Sequence, residues 1–404
     1  MDPFRLQLSR SIKRCEFHPL QLRLYTYDLL NLPSFLKKFV KDPIAVVQPE
    51  TDDEVVKVLK ISEKFNVPVI PRGSATSAYG GVIPIKKSVV LDFTRMNRIR
   101  VEDKRLIAES GAIWLNVEKE LNRHNLSLRV YPTSAPISTV GGWLGQGGYG
   151  VGSYKYGGIH KNVEWLEVAD FGGIKKVSGD SLKYYIGLHG TTGFILRACI
   201  KTRERKAIES VTINTNFERS TELLNDAYHA VFLSKEFLKY SGWGEQDTLL
   251  LSFEGDPMLD GDREFGSFLW ENRYLQLRAS KFGKLIFSEA VIPYDSAPEF
   301  LSKCRELKAG VEVIFCDDCT VFFGMFWLNQ YYSSIAKALK FIKMAEKFDG
   351  RVYSTGLLFP HKKIFNENIY EYKSKNDPKN LLNPGKALGG NIISNIVRIS
   401  ELVV

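Results

Sequence analysis

Three segments of the chain carry residues whose types and spacing suit the binding of a large anionic cofactor. In the first, Pro71-Arg72-Gly73-Ser74-Ala75-Thr76-Ser77-Ala78-Tyr79-Gly80-Gly81, small side chains, backbone N–H groups and one cation follow a strand-like stretch, which is what a pyrophosphate needs. The second runs from Thr139 to Gly158 and holds Gly141, Gly142, Gly145, Gly147, Gly148, Gly150, Gly152, Gly157 and Gly158. So dense a run is costly in backbone entropy, and it implies that something lies against that backbone. The third is Gly190-Thr191-Thr192-Gly193. No GxxxxGK[ST] is present, and no GxGxxG opens an early strand–helix unit with an acid about twenty residues on, so neither a P-loop nor an ordinary dinucleotide site is expected.

The elements that must position these loops are short strands and helices. Ile44 to Val47 reads as a strand, and Thr51 with Glu54 three residues later starts a helix with Val55, Val58 and Leu59 on its buried face. Val67 to Ile70 leads into the first loop, and Ser88 to Phe93 follows it. Arg105 to Gly111 reads as a strand, Trp114 to His124 as a helix, Glu164 to Asp170 and Ile174 to Val177 as a hairpin turning at Gly172-Gly173, and Phe194 to Thr202 as a strand. Beyond about Ser210 the glycine loops stop. Strands at 211–214, 249–253, 285–291, 311–315 and 321–327 then alternate with helices at 220–233, 297–307 and 331–348, the pattern of an open sheet covered by helices on one face.

At 404 residues, 44% hydrophobic and 25% charged, the chain has room for two substantial domains. Its formal charge of +9 is spread along the sequence, and no zinc finger, RNA-recognition signature or basic heptad helix is found, so no nucleic-acid partner is expected. Met1 to Arg14 lacks the apolar centre of a secretory signal. The most apolar run, Val321 to Leu328, is too short to cross a bilayer and reads as a buried strand. Five scattered cysteines argue for reduced thiols and a cytoplasmic protein, soluble or peripheral to the membrane. Cys316-Asp317-Asp318-Cys319 is a lone CxxC in apolar surroundings, read as core thiols rather than a metal or iron–sulfur site.

Taken as an ordered set, these motifs resemble the vanillyl-alcohol oxidase and p-cresol methylhydroxylase (PCMH) flavoproteins, and within them the FAD-linked glycolate oxidase and D-lactate dehydrogenase branch. Tyr27-Asp28, Pro43 to Pro49, Val69 to Gly73 with Thr76-Ser77 and Gly80-Gly81, Leu91-Asp92 and Met96 to Ile99 carry the likeness in the first quarter of the chain. Pro132, Ser138 to Gly142, Tyr156-Gly157, Gly190 to Ile195, Asp377-Pro378 and Asn383 to Lys386 carry it onward. The resemblance implies an α+β fold: a two-subdomain PCMH-type FAD-binding domain over 1–205 with an N-terminal helical segment, and a cap over 206–360 with a largely antiparallel sheet covered by helices. A segment over 361–404 returns to the FAD site. It further implies FAD on Arg72, Gly73, Ser74, Ala75, Thr76 and Ser77, with Pro132, Thr133, Ser138, Thr139, Gly141, Gly142, Gly148 and Ile195 along its channel and Asn383 and Lys386 closing it. The first loop contains no histidine for covalent attachment, so non-covalent FAD is expected.

The likeness breaks where chemistry would be decided. The HxGDGNxH and GEHGIG motifs of metal-dependent members are replaced by Phe315 to Phe323 and Tyr353 to His361, so no metal is expected. Dehydrogenation of an alcohol carbon by hydride transfer to flavin N5 needs a base for the hydroxyl proton, and an acidic substrate needs a cation. His361 is a base candidate and equally a surface histidine before Lys362-Lys363; Tyr156 is a substrate contact or cofactor packing; Arg351 is a carboxylate clamp or a solvated strand residue. The expected activity is oxidation of a small hydroxylated substrate, a 2-hydroxy acid of glycolate or D-lactate type, with electrons leaving to an iron–sulfur or other partner protein. Two alternatives stand: a non-catalytic or electron-relay FAD subunit of a multi-chain glycolate oxidase, and a flavoenzyme of the same fold that is a sugar or aldonolactone oxidase or performs a non-redox alkyl transfer.

Overall fold

A computed structural model describes residues 2–30, 32–257, 259–275, 278–327 and 331–403. Four strands, β1 (Cys15–Glu16), β2 (Ala45–Val47), β3 (Val69–Arg72) and β4 (Val89–Asp92), form a first sheet in the order β1-β2-β4-β3, with β2, β4 and β3 parallel. Fully buried Ala45, Val47, Val69, Val89 and Leu91 explain the lack of polar alternation in these strands. Thr51 caps the helix Asp52–Phe65 by accepting from the Glu54 N–H at 3.3 Å, and Val55, Val58, Leu59 and Ile61 face the sheet.

A second sheet contains β5 (Ile99–Glu102), β6 (Arg105–Glu109), β7 (Leu126–Leu128), β8 (Val163–Asp170), β9 (Gly173–Ser178) and β10 (Phe194–Glu204), all antiparallel, with β10 central. The β8–β9 hairpin turns one residue earlier than expected: Asp170 pairs with Gly173, leaving Phe171-Gly172 as the loop.

The third sheet is wholly antiparallel and runs β11 (Ile208–Asn214), β13 (Thr248–Glu254), β12 (His229–Leu233), β15 (Gly310–Phe315), β16 (Thr320–Trp327), β14 (Leu285–Ile292), β17 (Arg351–Val352). Alternate residues leave opposite faces. Phe232, Val313, Phe322 and Phe326 pack with Phe300 and Phe341 of the helices Ala297–Glu306 and Tyr331–Lys347, whereas Val231, Ile314, Val321 and Phe323 pack on the other face with Tyr149 and Tyr353. The helix expected at 220–233 is instead the helix Phe217–Glu222 followed by β12, with Asn225 at φ +44° between them. Ladder pairing of β12 on both sides overrides the local helical pattern. Of the run ending at Leu328, Thr320–Trp327 is strand and Leu328 lies outside the described residues. Among the described residues no helix is long and apolar enough to cross a membrane.

Candidate active site

The three glycine-bearing segments and the second face of the third sheet enclose one cavity of about 500 Å³. Its floor comes from the loop after β3, the 132–146 segment and the turn before β10. Its roof is Phe287 and Glu289 of β14, Ile314 of β15, Val321 and Phe323 of β16, and Tyr353 just after β17.

Of the residues expected to hold a cofactor, Arg72, Gly73, Ser74, Ala75, Thr76, Ser77, Pro132, Thr133, Ser138, Thr139, Gly141, Gly142 and Ile195 all line this cavity. The N–H groups of Ser74, Ala75 and Thr76 donate to no protein group among the described residues, leaving them for an anion. Ala75 sits at φ +55°, which turns the loop backbone inward. A Cβ on Gly73 would stand 2.1 Å from Thr139 Oγ1, so glycine is what lets the first two loops touch. Thr139 in turn caps the helix Val140–Gln146 through the Gly142 N–H at 3.2 Å. Arg72 is held from behind, its Nη1 donating to the Tyr27 carbonyl at 2.8 Å and its guanidinium 5.1 Å from the Tyr25 ring centre.

Gly148, Asn383 and Lys386 do not line the cavity. Gly148 stands just behind it at φ +137°, where a Cβ would collide with the Tyr353 hydroxyl at 1.9 Å. Asn383 is reached because Val69 and the 381–383 stretch exchange backbone hydrogen bonds. Its Nδ2 donates to the carbonyls of Gly81 at 2.9 Å and His189 at 2.6 Å, tying the first loop to the third. Lys386 is fully buried behind this joint, and burial pushes its ammonium down to about 7 despite the nearby Asp28 carboxylate. Buried Lys386 Nζ and Asn383 Oδ1 have no hydrogen-bond partner among the described residues.

The three catalytic candidates read from sequence are not on the cavity wall. His361 is turned to the C-terminal helix Ile392–Val403, with Nε2 3.0 Å from Glu401 Oε2 and Lys362 beside it at 3.1 Å from Oε1. Tyr156 packs outward, its hydroxyl 3.4 Å from both oxygens of Glu254, which also pairs with Lys155 and Arg203 at 3.0 Å. Arg351 lies in β17 opposite Val291 and donates to the Val352 carbonyl at 3.3 Å. Each makes its side-chain contacts away from the cavity wall among the described residues.

What the cavity does contain is Glu289. Its cross-strand partner is Phe323, and the partner of Phe323 on the other side is Glu312, so two carboxyl groups flank one phenyl ring on the same sheet face. Desolvation, reinforced by the Glu312 charge, raises the Glu289 carboxyl to about 8. His189, also on the wall, is kept neutral: burial lowers it to about 4, and Nε2 meets Ser354 Oγ at 2.8 Å. A signal for Glu289 exists in the sequence, a lone carboxylate alternating with Phe287 and Val291 inside the apolar strand Leu285–Ile292. The CxxC segment is the β15–β16 hairpin tip: Cys316 and Cys319 are buried, and Lys161 bridges Asp317 at 2.6 Å and Asp318 at 3.1 Å. These ion pairs join the third sheet to the turn Ile159–Asn162, just after the glycine run.

Residues 43–177 match the family model described as FAD binding domain. The chain is 28% identical over 245 residues to glycolate oxidase subunit GlcD of Bacillus subtilis (strain 168), covering 56% of this chain and 50% of that protein. It is 26% identical to alkyldihydroxyacetonephosphate synthase of Trypanosoma brucei brucei, over 53% of this chain and 44% of that one. To D-lactate dehydrogenase of Archaeoglobus fulgidus it is 31% identical, over 44% and 42%. The chain thus matches half or less of the length of these relatives. The fold is that of 4-ethylphenol oxidase from Gulosibacter chungangensis in its isoeugenol complex, with TM-score 0.75, 13% identity, and 95% of this chain and 96% of that chain covered.

Proposed function

From residues 43–177, which match an FAD binding domain, we infer an FAD-dependent oxidoreductase of the PCMH type that dehydrogenates a small hydroxylated substrate. FAD, when bound, supplies the hydride acceptor. Arg72 to Ser77, with Pro132, Thr133, Ser138, Thr139, Gly141, Gly142 and Ile195, would hold it without a covalent link, and Gly148, Asn383 and Lys386 would support it from behind.

The observation that carries the reading is Glu289, the sole carboxylate on the cavity wall among the described residues. A base near pKa 8 at neutral pH accepts a hydroxyl proton efficiently as the alcohol carbon loses its hydride. Phe287, Ile314, Val321 and Phe323 around it exclude water, and neutral His189 adds a polar contact without charge.

The same wall bears on substrate class. It holds no lysine among the described residues, and its one arginine, Arg72, is engaged by Tyr27 at the loop end. A wall with one carboxylate and, Arg72 apart, no lysine or arginine among the described residues offers a substrate carboxylate little to pair with, which supports an uncharged alcohol or sugar-like compound. The 2-hydroxy acid reading rests on the names of the glycolate and D-lactate relatives and is the second reading; an electron-relay subunit is the third. Anaerobic flavin bleaching across neutral alcohols, sugars, aldonolactones and 2-hydroxy acids separates them. Bleaching by neutral alcohols or sugars supports the first, bleaching by glycolate or D-lactate alone the second, and no bleaching without an added partner the third.

A further inference from the structure

The segment that covers the cofactor loop wears an apolar outer face that the fold does not use. In the helix Pro19–Arg23 and the following turn Leu24–Thr26, Leu22 and Thr26 point inward. Leu20 and Leu24 point outward, 72% and 63% exposed, with Tyr27, Leu29 and Phe35 about half exposed beyond them. The segment is firmly mounted: Leu29 N–H donates to the Ser77 carbonyl at 3.1 Å, and Leu32 and Leu36 pack with Ile83 and Leu357. Its outward leucines are therefore a fixed surface, and a contiguous exposed apolar patch marks an interaction site.

Charge identifies the partner. From residue 19 to residue 41 the exposed charged side chains are Arg23, Lys37, Lys38 and Lys41, while the one acid, Asp28, is turned inward with Oδ1 accepting from the Leu30 N–H at 2.8 Å. Apolar tips interspersed with cations, the exposed acids Glu16 and Asp42 lying outside the two ends of the segment, match the boundary between anionic headgroups and acyl chains. We propose that residues 19–41 dock the protein on an anionic lipid bilayer, with Leu20, Leu24 and Phe35 entering the interface and Arg23, Lys37 and Lys38 on the headgroups. Leu29 belongs both to this patch and to the cavity wall, so docking brings the rim of the cavity to the membrane surface.

The test is co-sedimentation of the FAD-loaded full chain with vesicles of phosphatidylcholine, alone or mixed with phosphatidylglycerol. Binding is expected only to the mixed vesicles, with release by salt. Lys37→Glu/Lys38→Glu and Leu20→Asp/Leu24→Asp should each lower the partition coefficient on the order of tenfold, while Ile174→Asp, an exposed apolar residue on β9, leaves it unchanged. Thermal melts keep the folded state in view. No phosphatidylglycerol-dependent binding overturns the proposal. So does equal loss in Ile174→Asp, or patch variants that change the mass by light scattering while vesicle binding stays intact, which would make the patch a protein interface.

Discussion

Tyr353 grips the backbone of Tyr149: its hydroxyl accepts from the Tyr149 N–H at 2.9 Å and donates to the Tyr149 carbonyl at 3.1 Å. One side chain from the end of the third sheet thus completes both backbone groups of a residue in the glycine run, 204 positions away in sequence. The roof and floor of the cavity are fixed to each other at this point, next to Glu289, whose carbonyl accepts from the Tyr353 N–H at 3.1 Å.

Replacing Tyr353 by Phe leaves the ring and removes the grip. The orphaned Tyr149 backbone groups should cost about 2 kcal/mol, read as a lower midpoint in chemical denaturation. Gly148→Ala should do at least as much by another route, since its Cβ has no room beside the Tyr353 hydroxyl and its φ of +137° is strained for alanine. The double variant Gly148→Ala/Tyr353→Phe should lose less than the sum of the two, because the nearest clashing atom is gone, although the ring carbon Cζ, 2.6 Å from that Cβ, remains in the way.

Gly73→Val tests the loop contact. With the Thr139 hydroxyl 2.1 Å from any Cβ, the loop must move away from the 139–142 segment. FAD retention on desalting is expected to fall by tenfold or more in dissociation constant, about 1.4 kcal/mol, with the secondary structure by circular dichroism unchanged.

Glu289 also makes a stability prediction for the protein without cofactor. Its folded carboxyl is raised above the ordinary value of 4.5 to about 8, so the folded state holds a proton that the unfolded state releases. Stability contributed by this group therefore falls as pH rises between those two values. Glu289→Gln, which is never charged, should be the more stable protein at pH 9, and the gap should shrink toward pH 5 in denaturant titrations.

His361→Ala should leave flavin reduction unchanged and act on stability instead. Glu401 is pushed up by burial, but His361 and Lys362 more than offset this and hold its carboxyl below the ordinary value. That stabilisation is present above the unfolded carboxyl range and lost as pH falls through the lowered folded value. Removing His361 should make the C-terminal helix Ile392–Val403 more exchangeable by hydrogen exchange at neutral pH, with the difference from the unsubstituted protein fading in acid.

The glycine loops were legible because their composition has no cheap explanation other than a close ligand, and Arg72 to Ser77 do line the cavity. The antiparallel roof was expected from the family resemblance, since strands such as Gly310–Phe315 and Thr320–Trp327 are apolar along most of their length and give no alternation. Glu289 was hidden because one acid in an apolar strand reads as a solvent-facing position until sheet pairing sets Phe323 between it and Glu312. His361 drew attention because it ends the segment Tyr353 to His361, where the resembled family keeps catalytic residues, but the chain has turned toward Glu401 by then. The stretch from Ser220 to Leu233 misled locally, since its strand half is held by partners 15 or more residues away that no local window of sequence contains.

The central claim, that Glu289 accepts the substrate proton, is tested most directly by the anaerobic flavin reduction rate of the FAD-loaded protein with a bleaching alcohol, measured against pH. The rate should rise with pH and level off above about 8, and Glu289→Gln should lower the plateau by about 100-fold or more while retaining FAD. A Glu289→Gln protein that reduces its flavin at the unsubstituted rate with the same pH profile would contradict the account.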